Sequence, residues 1–336
     1  MIHPRIAVAS CMRNEGQFAL EWIAYYRVLG FDEIVIFTND CEDGSDLMMD
    51  RLQELGEITH IDNPSLRDLS PQIRAISRAL GHWKIRSCDW MLFCDADEFP
   101  VIDYGDGKIQ DLVAAMPGHT DCIALHWRAF GANGLTDFPP GANVTEVNTL
   151  AQIEPDPGGF HKSLFRPNKF STAIDHMPKK SFGPVALRNA AGTLMNPRAF
   201  RRAWSKFRGV NPAHINYEGA VMNHYAIRAD DVFVMKNHRG DGRGFSNAKY
   251  FLNSGFYNRF NRNDAEDTTI QRHVPAMKAK KAEYLKDPIV AELHQRGIDY
   301  FQNLKSEVLT WKQRHAWTKK PKSRHLEDQG EAYGGL

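Results

Sequence analysis

The chain has 336 residues, of which 42% are hydrophobic and 25% charged, with a formal net charge of +1. That length holds one large domain or two and buries a substantial core. The near-neutral balance gives no overall field for nucleic acid, so any basic surface is local, and no apolar run approaches the roughly 18 to 20 residues of a membrane span. The five cysteines all lie within the first 122 residues, without paired metal-type spacing. They read as reduced thiols of a cytoplasmic protein, and the opening residues show no signal-peptide pattern.

Taken in order, Arg5 to Ser10 suits a first buried strand. A helix with Phe18, Trp22, Tyr26 and Leu29 on one face follows, ended by Gly30. Glu33 to Thr38 is a second strand, and Ser45 opens a helix carrying Met48, Leu52 and Leu55, closed by Gly56. Ile58 to Ile61 is a short third strand, and a helix from Pro71 sets Ile73, Ile76, Leu80 and Trp83 on its apolar face. The run from Trp90 to Cys94 is a fourth strand. Strands alternating with helices in this way predict a parallel, Rossmann-like sheet. A Gly-x-Gly-x-x-Gly fingerprint is missing after the first strand, which argues against a dehydrogenase. The strand ends carry Arg13, Asn14 and Glu15, then Asn39, Asp40 and Asp43, groups that suit a base and ribose more than a bare pyrophosphate.

The fourth strand stops at Asp95-Ala96-Asp97-Glu98. Ligands of open parallel sheets bind just beyond the carboxyl ends of the strands. In an extended segment residues two apart point to the same side, so Asp95 and Asp97 are expected to face one cation. A hard divalent metal that also carries phosphate takes one or two protein carboxylates. A bare Asp-x-Asp is common in solvated turns; its place at the tip of a buried strand gives it weight.

Beyond it, a helix carries Ile109, Leu112, Val113 and Met116, and Cys122 to Trp127 forms a strand. Residues 136–208 are rich in Pro, Gly and Asn and read as long loops on short strands such as Lys162 to Arg166. His161, His176 and His214 in this stretch receive no role. His224 can complete a metal site begun by two carboxylates, and Lys236 and Arg239, three apart, can meet phosphate oxygens from one helical face. Residues 261–322 read as helical and charged, and 327–336 as disordered. Trp311 and Trp317 with the basic residues of 312–324 offer a peripheral contact for anionic membrane at the inner face, or for an acidic acceptor.

The ordered set Cys11-x-Arg13-Asn14-Glu15, Glu21-Trp22, Gly30-Phe31-Asp32, Asp43-Gly44-Ser45, Pro71-Gln72, Asp95-Ala96-Asp97-Glu98-Phe99, Trp127-x-x-Phe130-Gly131, His224-Tyr225 and Lys236-x-x-Arg239-Gly240 resembles bacterial glycosyltransferase family-2-like proteins of the GT-A fold. It resembles glycosyltransferase family 92 more distantly. The resemblance implies a Rossmann-like, mostly parallel sheet flanked by helices. It implies a transferase domain over 1–240, with a nucleotide-sugar half at 1–130 and an acceptor half at 131–240, then a helical extension over 241–325 and a tail at 326–336. The implied reaction moves a hexosyl group from a UDP- or GDP-linked donor to a glycan or lipid-linked acceptor hydroxyl, with inversion, in surface polysaccharide or glycan assembly. Asp95 and Asp97 would hold Mn or Mg, with His224 as a further ligand. Arg13, Asn14, Glu15, Asn39, Asp43 and Gln72 would line the nucleotide pocket, and Lys236 and Arg239 would neutralise the departing phosphate. The family-2 Gln-x-x-Arg-Trp motif is absent, and the general base falls among Asp137, Asp241 and Asp267. Nucleotidyl transfer to a sugar phosphate uses the same acids, metal and pocket, and a non-catalytic nucleotide-sugar or glycan-binding protein would keep the pocket alone. A glycoside hydrolase fits poorly, because its two carboxylates flank the scissile bond and need no metal.

Overall fold

The computed structural model describes residues 3–66, 69–196, 211–239 and 250–318. The first part alternates as the periodicity predicts: β1 (Ile6–Met12), α1 (Ala19–Val28), β2 (Glu33–Thr38), α2 (Ser45–Glu54), β3 (Thr59–Asp62), α3 (Pro71–Gly81), α4 (Trp83–Arg86) and β4 (Trp90–Phe93). Then come β5 (Glu98–Ile102), α5 (Ile109–Ala115), β6 (Cys122–Ala129), α6 (Val144–Val147), β7 (Leu150–Ala151), β8 (His161–Phe165), β9 (Phe170–Ala173), β10 (Pro178–Ser181), β11 (Leu187–Asn189) and β12 (Leu194–Met195). The remainder is β13 (Ala220–His224), α7 (Asp230–Arg239), α8 (Gly255–Phe260), β14 (Ala265–Glu266), α9 (Val274–Tyr284), α10 (Pro288–Val308) and α11 (Trp311–Trp317).

The main sheet runs β12-β11-β6-β8-β4-β1-β2-β3. Strands β4, β1, β2 and β3 are mutually parallel, and β8 lies antiparallel between β4 and β6. From β6 the parallel partners β11 and β13 extend the sheet, and β5 closes antiparallel on β13. The architecture is a mostly parallel α/β sheet flanked by helices. Alternate residues of each buried strand feed two separate cores, as a sheet covered on both faces requires. Ile6, Val8, Ile34, Ile36, Trp90 and Leu92 pack under α1 and α2, and Ala7, Ala9, Val35, Phe37, Met91 and Phe93 pack under α3.

Helices α1 and α2 both end in a left-handed glycine, Gly30 at φ 93° and Gly56 at φ 78°. In α1 the Phe31 N–H reaches back to the Tyr26 carbonyl and the Gly30 N–H to that of Arg27. This satisfies the last carbonyls of the helix, and only glycine adopts the turn without penalty.

Two elements depart from the sequence reading. The helix from Pro71 ends at Gly81 because His82 is extended (ψ 132°), so Trp83 opens the separate α4 and is 70% exposed rather than on the apolar face of α3. After Asp97 the chain forms β5 directly rather than passing to a helix. Pro100 within Glu-Phe-Pro-Val-Ile hid this strand, since proline cannot donate to a ladder on both sides. In the sheet β5 pairs with β13 alone, so an edge position tolerates it. Helix α9 packs on α1 and α10 on α2. No helix among the described residues is long and apolar enough to cross a membrane.

Candidate active site

The carboxyl ends of β1, β2 and β4 converge on one edge of the sheet, and the predicted polar residues follow each of them. After β1, Asn14 takes φ 53°, a left-handed conformation that asparagine tolerates, and its Oδ1 accepts the Glu42 N–H at 2.8 Å. Glu15 is buried against the guanidinium of Arg228 at 3.3 Å, which also donates to the Ala96 carbonyl at 2.9 Å and lies 3.8 Å over the Phe18 ring. After β2, Asn39 accepts from the Cys11 thiol at 3.6 Å. Asp43 accepts the Gly16 N–H at 2.8 Å and the Ser45 hydroxyl at 2.6 Å, so its carboxylate shapes the loops of the pocket.

The turn Asp95-Ala96-Asp97 joins β4 to β5 and is tied at several points. The Trp22 indole donates to the Asp95 carbonyl at 3.1 Å, the Asp95 N–H to the Glu98 carboxylate at 2.7 Å, and the Tyr225 N–H to the Asp97 carbonyl at 2.8 Å. The two aspartates have different partners. Asp95 accepts from Gln72 at 2.6 Å and from the Lys162 ammonium at 3.0 Å. Lys162, fully buried on β8, also lies 3.2 Å from Glu98. Burial opposes its charge, but Asp95 and Glu98 outweigh burial and hold the ammonium protonated; burial pushes the Glu98 carboxyl up. Asp97 meets the Lys236 ammonium at 3.3 Å and His224 Nε2 at 3.7 Å. Burial alone would raise the Asp97 carboxyl, yet Lys236 and the neighbouring positive charges hold it well below the usual carboxylate range.

Burial brings His224 down to about 3, so its imidazole is neutral and keeps a lone pair for a ligand. Its Nδ1 is buried with no hydrogen-bond partner among the described residues, and the rings of Trp127 and Phe260 pack around it with centroids at 4.0 and 5.5 Å. With the proton on Nδ1, the Nε2 lone pair and an Asp97 oxygen face each other, and a cation between them satisfies both. Among the described residues no three His, Cys, Asp or Glu side chains gather in a metal-holding cluster. A cation at Asp97 and His224 thus fits as one completed by ligand oxygens, the usual arrangement for metals carried on phosphate.

A cleft of about 800 Å³, counted to its open mouth, lies beside this turn. Of the residues expected at a nucleotide sugar, Arg13, Asn14, Asp43 and Lys236 line it, whereas Glu15, Asn39 and Gln72 are not among its lining residues. Arg228 lines it as well, and so do Gly297, Tyr300, Phe301 and Leu304 of α10. The sequence reading missed these. Lys162 carried one faint signal, a lysine inside a strand, which is almost never fully buried unless paired; nothing local marked Arg228 or Tyr300.

The candidate bases lie elsewhere or outside the described residues. Asp137 is exposed and bound by Lys305 at 3.3 Å and Arg314 at 2.9 Å. Asp267 is held by Arg128 and caps Thr269. Adjacent strand residues face opposite sides, so Arg128 carries Asp267 away from the face on which Trp127 meets His224. Asp241 and the side chain of Arg239 lie outside the described residues. On α11, Trp311 is 82% exposed while Trp317 is buried; residues 319–324 lie outside the described residues. Of the histidines left without a role, His161 and His176 are buried behind Trp127, with the His176 Nδ1 paired to the His161 carbonyl at 3.0 Å.

The family model of glycosyltransferase family 92 matches residues 7–231. A family 92 protein of Arabidopsis thaliana is 26% identical over 256 residues, covering 70% of this chain and 37% of that protein. One of Oryza sativa subsp. japonica is 23% identical over 249 residues, covering 71% and 39%. The chain therefore spans little more than a third of the length of these curated relatives. Among solved structures, S. aureus TarS 1-349 aligns with a TM-score of 0.35 at 10% identity over 90% of each chain. Glucosyl-3-phosphoglycerate synthase from Mycobacterium tuberculosis, in complex with Mn2+, UDP and glucosyl-3-phosphoglycerate, aligns with a TM-score of 0.25 at 16% identity over 37% of this chain and 44% of that one.

Proposed function

Because the chain belongs to glycosyltransferase family 92, we propose that it transfers a sugar from a nucleotide-sugar donor to an acceptor hydroxyl, with a divalent cation on the donor diphosphate. The observation that carries this is the pairing of Asp97 with His224 and Lys236 beside the cleft, at the carboxyl ends of parallel strands. A carboxylate with a neutral imidazole at 3.7 Å and an ammonium at 3.3 Å forms a set suited to a metal-bound diphosphate.

The roles follow from the contacts. Asp97 and His224 hold Mn or Mg, which supplies Lewis-acid help to the leaving oxygen when bound. Lys236 exchanges its Asp97 partner for a phosphate oxygen, and Arg228, fixed by Glu15 and the Ala96 carbonyl, presents a second cation to the same charge. Preorganised donors of this kind act where negative charge grows during departure. Asp95, clamped by Gln72 and Lys162, fixes the shape of the turn and with it the position of Asp97. The acceptor is a glycan or lipid-linked hydroxyl, and its deprotonating group is unassigned: Asp137 and Asp267 are both committed to cationic partners.

A thermal-shift panel of nucleoside diphosphates and nucleotide sugars, with and without Mn, tests the reading. Stabilisation by one nucleoside diphosphate that depends on Mn is expected. Incorporation of labelled sugar into an acceptor separates transfer from nucleotidyl exchange, which would release inorganic diphosphate, and from a binding protein, which would turn over nothing.

A further inference from the structure

The wall of the cleft facing the β1 and β2 loops comes from α10, well beyond the stretch matched to the family model. Its buried stripe runs Val290, Leu293, His294, Gly297 and Ile298, the spacing of one helical face. His294 Nδ1 donates to the Gly16 carbonyl at 2.9 Å, and Asp287 at the helix start accepts from Arg51 of α2 at 2.6 Å. Further along, Lys305 meets Asp231 of α7 at 2.9 Å. The helix thus grips the β1 loop, α2 and α7, which surround the cleft.

At its centre the Tyr300 hydroxyl donates to one Glu42 oxygen at 2.7 Å. Burial and the Glu42 carboxylate push Tyr300 up to about 12, so it stays a donor. Glu42 lines the cleft and is exposed, and the Asn14 side chain holds its backbone N–H. A carboxylate accepts at two oxygens, with about four lone-pair positions, and Tyr300 occupies one. The same cleft is lined by the apolar Phe18, Phe301 and Leu304 and by two cations, Arg228 and Lys236, which reach the Ala96 carbonyl and Asp97. An acidic side chain held by a tyrosine, in a cleft that also offers apolar surface for a base and cations for a diphosphate, suits the hydroxyls of a ribose.

We propose that Glu42, oriented by Tyr300 of α10, is the ribose receptor of the donor site, and that α10 is a working wall of that site. The assignment rests on the nucleotide-sugar reading of the same cleft. It goes beyond that reading by naming the part of the donor that this wall recognises.

The test uses the full chain and calorimetric titration with UDP, GDP and their 2′-deoxy counterparts in the presence of Mn. A hydrogen bond to a charged group predicts that the ribose form of the preferred nucleotide binds about tenfold tighter or more. Glu42→Ala should bring that ratio close to one while leaving 2′-deoxy affinity little changed. Tyr300→Phe should reduce the ratio part of the way, and unchanged melting temperatures show that both variants fold. A parent that binds ribose and deoxyribose forms equally, or variants that bind with the parent's ratio, would overturn the ribose assignment alone. A parent that binds no nucleoside diphosphate would overturn the donor reading together with it.

Discussion

Gly16 and Gly297 meet backbone to backbone: a Cβ placed on Gly297 would lie 2.7 Å from the Gly16 Cα, and one on Gly16 would lie 2.9 Å from the Gly297 Cα. Glycine in the middle of a helix costs about 1 kcal/mol against alanine, so its presence within α10 calls for a packing reason, and this contact supplies one. Gly297→Ala gains that propensity but forces a methyl onto main chain, which typically costs about 1–3 kcal/mol. Main chain cannot step aside as a side-chain end can. The variant should melt earlier than the parent and bind nucleoside diphosphate more weakly. Equal or higher stability with unchanged binding would show that α10 is not seated on this loop as described.

Asp97→Asn keeps the shape of the side chain and removes its charge from Lys236 and the cation. Turnover should fall on the order of 10²-fold or more, as for loss of a group aimed at developing charge, and Mn should no longer raise the melting temperature in the presence of nucleoside diphosphate. His224→Gln should raise the Mn concentration needed for half-maximal activity more than it lowers the maximal rate. Retention of full Mn-dependent turnover by Asp97→Asn would remove the carboxylate from the reaction.

Lys162→Met takes the cation from between Asp95 and the buried Glu98. Breaking a buried pair by removing one partner costs about 3–5 kcal/mol, which denaturant unfolding would register directly. Adding Glu98→Gln to that variant removes the group left without its partner and should recover part of the loss. If the change in the double variant equals the sum of the changes for Lys162→Met and Glu98→Gln alone, the two residues are not energetically coupled.

Buried histidines set an acid limit. Burial lowers His126 and His294 from the ordinary 6.5 to about 4, and His224 to about 3. In the unfolded chain these groups titrate near 6.5, so between roughly pH 4 and 6.5 the unfolded state binds protons that the folded state refuses. Their contribution is fully present above 6.5 and is lost as pH falls, at up to about 1.4 kcal/mol per unit for each group. Stability from denaturant melts should therefore drop steeply from pH 6.5 to 4.5. His294→Gln, which keeps a donor for the Gly16 carbonyl, should flatten that slope; a flat profile in the parent would contradict the burial of these rings.

Strands β1, β2 and β4 were legible because each is a largely apolar run, and α1 and α2 because each carries a stripe closed by a glycine; the break at His82 that sets α4 apart from α3 left no such mark. Glu33–Thr38 matches residue for residue. Strand β5 was hidden by Pro100, and the short strands after residue 150 carry too few residues for a period to emerge. The acids at the tip of β4 were visible, but their partners were not: Lys162 reaches Asp95 across a sequence separation of 67 residues and Lys236 reaches Asp97 across 139. The motifs placed family 92 as the more distant resemblance, whereas it is the family whose model matches. The C-terminal helices read as a charged extension because amphipathic periodicity shows that a face is covered, and never by what.

The seat of α10 on Gly16 has a practical corollary. The family match stops at residue 231, and a recombinant fragment trimmed to that boundary would carry the acidic turn and most of the sheet while losing the α10 flank of the cleft. Such a fragment would expose the underside of α2 to water and would also lack Lys236, the cationic partner of Asp97, so its failure to bind a nucleotide would say nothing about the full chain.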